Sequence, residues 1–332
     1  MRPVTLLSNV VLVLVLVLPP AVLAADPVTE MAGFSVFDKV DLAELAQGGI
    51  KTAAGTPMDT ARFLSVQSCF IIPKPPDKVL AAMKRFDPTT HRELKVYLHS
   101  DLPASPAAVN FASLNNPPEN SAVQTLSAAT SKMSPDLQVS RDEAQKFSAG
   151  QPVFAFWTDL LTKRVQDFAA GGAAREAPYD HNKSAVQPGQ ELAGLVRQQG
   201  RVNQHFGGFL GTTGLIGGKG SLAPDLYWEL LEVEDEGVLT LGASYTRSTS
   251  GGGAQVADGL YYASGGYNVA LTLYQLWPVE LSGRASTLVW RGDFISADSL
   301  GDLHGIERLA SESAMRKDIL KAAATFQRDS SR

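Results

Sequence analysis

Five stretches near the carboxy-terminal end alternate apolar and polar residues and follow one another with only short gaps: 226–233, 238–247, 256–264, 269–279 and 286–297. They are rich in Tyr, Trp, Val and Leu, and the gaps carry Gly, Asp or Ser, the composition of paired strands and their turns. Strands joined by so few residues pair antiparallel, because a parallel pair needs a crossover of about a dozen residues or more. Asp235-Glu236-Gly237 supplies a tight hairpin between the first two. The run commits the chain to an antiparallel meander, and the remaining segments must bury the faces of that sheet.

Residues 61–72 read as a further strand, with Leu64, Val66, Phe70 and Ile72 on one face and Phe63, Cys69 and Ile71 on the other. Pro73 stops it. Pro75-Pro76-Asp77 opens a helix in which Val79, Leu80, Met83 and Phe86 recur at helical spacing, and Asp87-Pro88 ends it. Residues 93–99 alternate again, and 101–120 are turn-rich. Helices are expected over 121–133, over 153–168 and, more weakly, over 191–210, with a glycine-rich connector at 207–220. Residues 302–326 close the chain as a long helix whose stripe includes Leu303, Ile306, Leu309, Ile319, Leu320, Ala323 and Phe326.

The first 24 residues have the layout of a secretory signal: Arg2, an unbroken Val/Leu run from Val10 to Leu18, Pro19-Pro20, then Val22-Leu23-Ala24 before a cut at Ala25. A retained anchor is the alternative, disfavoured because the run falls short of the roughly 20 residues a bilayer needs. Cleavage after Ala24 removes Arg2 and no acid, taking the net charge from −5 to −6. A periplasmic or secreted protein is expected. Residues 25–57 form an N-terminal arm, too short to bury a core alone. Residues 58–328 form a single domain with a helical insertion at about 120–220.

Composition narrows the function classes. With 44% hydrophobic residues the chain has ample material for a core. Its 29 Lys and Arg against 34 Asp and Glu leave no electrostatic footprint for nucleic acid. One cysteine excludes a disulfide framework and a cysteine-held metal cluster.

The order strand, Pro-Pro-led helix, strand, insertion, meander and terminal helix resembles the helix-grip fold of the START-related superfamily (SRPBCC), which includes polyketide cyclase-like and lipid-transfer domains. The residues that carry it are the strand 63–72, the turn Lys74-Pro75-Pro76-Asp77-Lys78-Val79, the meander 226–297 and the helix 302–326, about half of the chain. The insertion departs from the compact members. The resemblance implies an α+β fold in which a curved antiparallel sheet grips the long C-terminal helix and leaves an apolar cavity between them. Such domains mostly bind lipids, sterols or aromatic ligands, and a minority catalyse cyclisation or hydrolysis. The insertion, bordered by glycines at 171–172 and 207–220, is expected as a lid over the cavity.

The meander is rich in amphipathic rings. Trp228, Tyr245, Tyr262, Tyr274 and Trp290 are candidate ligand-binding residues, each with an ordinary core or cross-strand role as the alternative. Arg291 and Asp293 share a strand face opposite Leu288, Trp290 and Phe294. They are either a solvated pair, the favoured reading, or a buried pair that fixes a ligand's head group. The glycine run 211–221 fails as a phosphate loop: Thr213 stands where the first Gly is needed, and Gly220 follows Lys219. The five histidines show no metal-ligand spacing, Gly242-Ala243-Ser244-Tyr245-Thr246 lacks the second Gly of a nucleophile elbow, and Cys69 sits among apolar neighbours. Asn182-Lys183-Ser184 matches the glycosylation triplet, a match frequent by chance.

These features favour an exported, non-enzymatic binder or carrier of a hydrophobic ligand (lipid, isoprenoid or aromatic), with no cofactor or metal and with a transient membrane or transporter contact left open. The alternatives are an enzyme of the same fold, with Arg291, Asp293 or a tyrosine as acid or base, and a structural or protein-interaction module with a solid core.

Overall fold

The computed structural model describes residues 26–331 except 149, 182–184, 302, 304 and 305, with the backbone alone at 306, 307 and 309. The expected leader and the Asn182-Lys183-Ser184 triplet lie outside the described residues.

Two short helices, α1 (Pro27–Phe34) and α2 (Leu42–Ala46), start on aspartates. Asp26 accepts from the Thr29 N–H and Asp41 from those of Ala43 and Glu44, pairing amides that a helix start leaves open. Strand β1 (Ile50–Ala54), not foreseen in the arm, pairs with β2 (Phe63–Ile72). Helix α3 (Pro76–Met83) opens on proline, where a missing N–H costs nothing. Strand β3 (Val96–Leu102) begins three residues later than expected, because 92–94 form a 3-10 turn that Lys95 ends in the left-handed region.

The insertion holds a 3-10 segment (Ala108–Asn115), α4 (Ser121–Ser131), α5 (Arg141–Ala144), α6 (Val153–Gly171), α7 (Pro188–Arg197) and α8 (Gly200–Leu210). The single helix expected over 191–210 is two. Gln198 hydrogen-bonds Thr60 and Gln199 donates to the Thr56 carbonyl, and these tertiary bonds hold the junction out of helical geometry just before Gly200, a poor helix former.

The meander is present as five strands: β4 (Asp225–Val233), β5 (Glu236–Ser248), β6 (Ala254–Ala263), β7 (Val269–Leu281) and β8 (Arg284–Ser296). Glu234-Asp235 and Ser282-Gly283 make its tightest turns, all four residues at positive φ, as two-residue hairpins of right-handed twist require. Helices α9 (Asp298–Gly301) and α10 (Ile306–Ser331) follow. Among the described residues eight strands form one antiparallel sheet, curled but unclosed, in the order β1-β2-β8-β7-β6-β5-β4-β3. No described helix is long and apolar enough to cross a membrane.

The sheet buries both faces, but differently. On the first face, Cys69, Ile71, Leu271, Leu273, Leu288 and Trp290 pack with α1 and the insertion helices into one large core. A bulge in β6 helps: Leu241 pairs with Tyr262 and Gly242 with Leu260, so Tyr261 is an extra residue. Both tyrosines then face the helices, Tyr261 stacked on Phe168 and Tyr262 under the Arg164 guanidinium. The N-terminal arm belongs to this core, with Phe34 stacked on His205 at 4.0 Å and 4.9 Å from Trp290.

On the second face, Phe70, Ile72, Leu276 and Val289 are covered by Val79 of α3 and by Ala323 and Phe326 of α10. Helix α10 runs over β1 and β2, where Gln327 donates to the Ile71 carbonyl (2.9 Å) and Arg308 to that of Phe63 (2.8 Å). The insertion helices therefore lie across the sheet from α10 and α3. The lid expectation is corrected: the apolar stripes of α6, α7 and α8 match the first, mostly apolar face of the sheet, and there they pack.

Candidate functional site

Strand register lines up a polar patch on the second face. Ser244, Asp258, Thr272 and Asp293 sit side by side on β5, β6, β7 and β8, and Thr246, Val256, Tyr274 and Arg291 form the adjacent row. Tyr227 and Glu229 of β4 and His99 of β3 continue the patch to the sheet's edge. A cavity of about 740 Å³ stands over these residues. Apolar side chains wall much of it, from Leu80, Met83 and Phe86 on one side, Phe326 of α10, and Leu260 and Ala270 of the sheet, with Lys84, Asp101 and Asp225 also in the lining.

The polar groups of the floor are wired to one another. Tyr227 donates to Asp258 Oδ1 at 2.9 Å. To do so the Tyr227 ring crosses β5 above Gly242, where any Cβ would collide with it. His99 Nδ1 lies 3.0 Å from Glu229 Oε1, and Thr272 donates to Asp293 Oδ1 at 3.1 Å. Arg291 grips Asp293 through Nε (2.8 Å) and Nη2 (2.7 Å), with its guanidinium 5.5 Å from the Tyr274 ring centre.

Burial sets the protonation of this floor. It pushes the Asp258 carboxyl up to about 7, assisted by the negative charge of Glu229 and opposed by the Tyr227 hydrogen bond. Burial also raises Tyr227 well above its ordinary value and Tyr274 to about 12. For His99, burial works against the charged ring, but the hydrogen bond and charge of Glu229, with Asp101 and Asp87, outweigh it and raise the pKa. For Arg291, burial is likewise outweighed by Asp293, and the guanidinium stays charged.

The structure divides the residues singled out in the sequence. Tyr274 and Arg291 line the cavity, and Asp293 holds Arg291 from behind. The reading of the arginine–aspartate pair as solvated is corrected: Asp293 is buried and Arg291 half-buried, because the cavity walls rise around them. Trp228, Tyr245, Tyr262 and Trp290 are corrected too, since they project from the opposite face into the core under the insertion. Their polar atoms serve that core: the Trp228 indole donates to the Asn110 carbonyl, Tyr245 accepts from the Gly214 N–H, and Trp290 donates to Gln67. Tyr262 packs its ring against Arg164, which is itself paired with Glu143 at 2.7 Å and Glu176 at 3.2 Å. Cys69 belongs to the same core, and burial raises its thiol to about 12. Glycines 211–220 do not swing free either: Gly214 packs on Tyr245, and Thr213 and Leu215 are buried.

Sequence reasoning missed Asp258, Tyr227, Glu229, His99 and Thr272. For Tyr227, Glu229, Asp258 and Thr272 the signal was there: each is a polar residue between apolar or small neighbours in a strand, and the strands align on the row of Arg291 and Asp293, whereas His99 is followed by Ser100 and Asp101 and carries no such pattern. Compared with known protein families, with curated proteins and with solved structures, the chain matches none.

Proposed function

We propose that this chain binds a hydrophobic ligand in the cavity between the second sheet face, α3 and α10. In this reading it is an exported carrier of the helix-grip kind, with the sheet curled around the terminal helix. The observation that carries it is the cavity itself. Its volume of about 740 Å³ lies in the range of about 300–1,000 Å³ usual for small-molecule sites. It joins apolar walls to a small set of convergent polar groups, which is how such sites combine affinity with orientation. The order of strands, helices and insertion further supports the resemblance.

The test is binding by the purified full chain, read by native mass spectrometry of organic extracts and by displacement of a neutral fluorescent probe. One apolar molecule per chain is expected. Ser244→Trp on the floor and Ala322→Trp in the wall should each fill the cavity and weaken binding at least about tenfold, with folding checked by circular dichroism. Binding unchanged in both folded variants sinks the reading.

A second reading, catalysis, is favoured by one observation: Asp258 faces the cavity as a half-buried carboxyl raised to about 7, hydrogen-bonded to Tyr227, the poise of a general acid or base.

A further inference from the structure

Three cations of the cavity, Lys84, Arg291 and, when protonated, His99, face five carboxylates, Asp101, Asp225, Glu229, Asp258 and Asp293. Lys84 is matched by Asp225 at 2.9 Å and Arg291 by Asp293 in a two-pronged pair. The single imidazole of His99 is shared between Glu229 at 3.0 Å and Asp101 at 3.7 Å. Asp258 is left over. Among the described residues it accepts one hydrogen bond, from the Tyr227 hydroxyl, and no donor reaches its other oxygen. Among the described residues helix α10 adds Ala322 and Phe326 to the lining, neither of them charged.

A half-buried carboxylate with an unmatched oxygen needs a donor, and a second anion beside it would be repelled at low local dielectric. Arg291 and His99 offset this only in part, since Arg291 is held by Asp293 at contact distance and His99 by Glu229, and burial prevails over both. Resting on the proposed ligand-binding role of this cavity, we propose that it selects apolar molecules with a hydrogen-bond-donating, non-anionic polar end, amines above all, and turns away free carboxylates. The apolar tail lies along Leu260, Phe86 and Phe326, and the ammonium group meets Asp258 on the floor.

The groups around Asp258 give this selectivity a pH dependence. Tyr227, Glu229 and His99 face it from β4 and β3, Arg291 and Asp293 from β8, and Lys84 stands at the rim on the α3 side. Burial raises Asp258 to about 7, so the carboxylate that recruits an amine is present above that pH and lost below it.

Dodecylamine, dodecanol and dodecanoate share one tail and differ in the head. Each is titrated below its micelle concentration into the full chain carrying a neutral fluorophore, at about pH 8 and about pH 6. At the higher pH the amine should bind about tenfold tighter than the alcohol, and the carboxylate should bind weakest. At the lower pH the amine's advantage over the alcohol should shrink several-fold. Asp258→Asn should lower the ratio of amine to alcohol affinity at the higher pH and remove its pH dependence. Dodecanoate binding as well as the amine, or an unchanged ratio in Asp258→Asn, overturns the selectivity while leaving a hydrophobic site standing. Failure of all three probes to bind overturns the ligand-binding reading and the selectivity with it.

Discussion

Asp258 carries a cost that the folded chain bears for the cavity. Its carboxyl titrates near the ordinary 3.8 when unfolded and at about 7 when folded. Between those values the folded chain holds the proton more tightly, so this group's contribution to stability falls as pH rises through the window and levels off above it. Asp258→Asn removes the charge yet keeps an oxygen for Tyr227. It should therefore be more stable than the parent at about pH 8, by about 1–4 kcal/mol, with the gap closing toward about pH 4. Urea midpoints at the two pH values check this, and a variant less stable than the parent at the higher pH would contradict it. Arg164 shows the opposite arrangement on the other face: a fully buried guanidinium held by both Glu143 and Glu176.

At the scale of elements, α1 is the informative case. The sequence of the arm suggested something that leans on a neighbour, and the structure supplies the neighbour. Phe34 inserts among His205, Phe206, Trp277 and Trp290, and Glu30 accepts from the Trp277 indole at 3.0 Å. Phe34→Ala should cost about 3–5 kcal/mol, because the rings around it belong to the sheet and to α8 and cannot all collapse into the hole. Denaturant unfolding measures it; a loss below about 1 kcal/mol would mean that the arm is a peripheral tether. Elements were the most legible level of the sequence. All five meander strands lie within two residues of the alternation that announced them, and α3 starts on the proline that announced it. Two of the misses, β1 and the division between α7 and α8, depend on partners far along the chain, Phe63–Ile72 for the first and Thr56 and Thr60 for the second.

At the scale of the whole molecule, one sheet separates two environments: a large, mostly apolar core under the insertion and a cavity beside α3 and α10. Ligand binding should slow amide exchange in α3 and in the cavity-facing strands β5–β7, and leave α6, α7 and α8 unchanged. Protection appearing in 153–210 instead would mean that the ligand enters from the other face. The sequence by itself determined the meander, the starts of α3, α4 and α6 and the sorting of the residues of β2 and β8 onto two faces, because period-two alternation and helix-start signals are local properties of a few neighbouring residues. It could not say which face would be sealed. That followed from the apolar stripes of the insertion helices meeting Trp228, Tyr245, Tyr262 and Trp290, contacts between segments many residues apart. The same holds for Tyr227, which reaches Asp258 only because strand pairing puts Gly242 between them, a juxtaposition that no local pattern encodes.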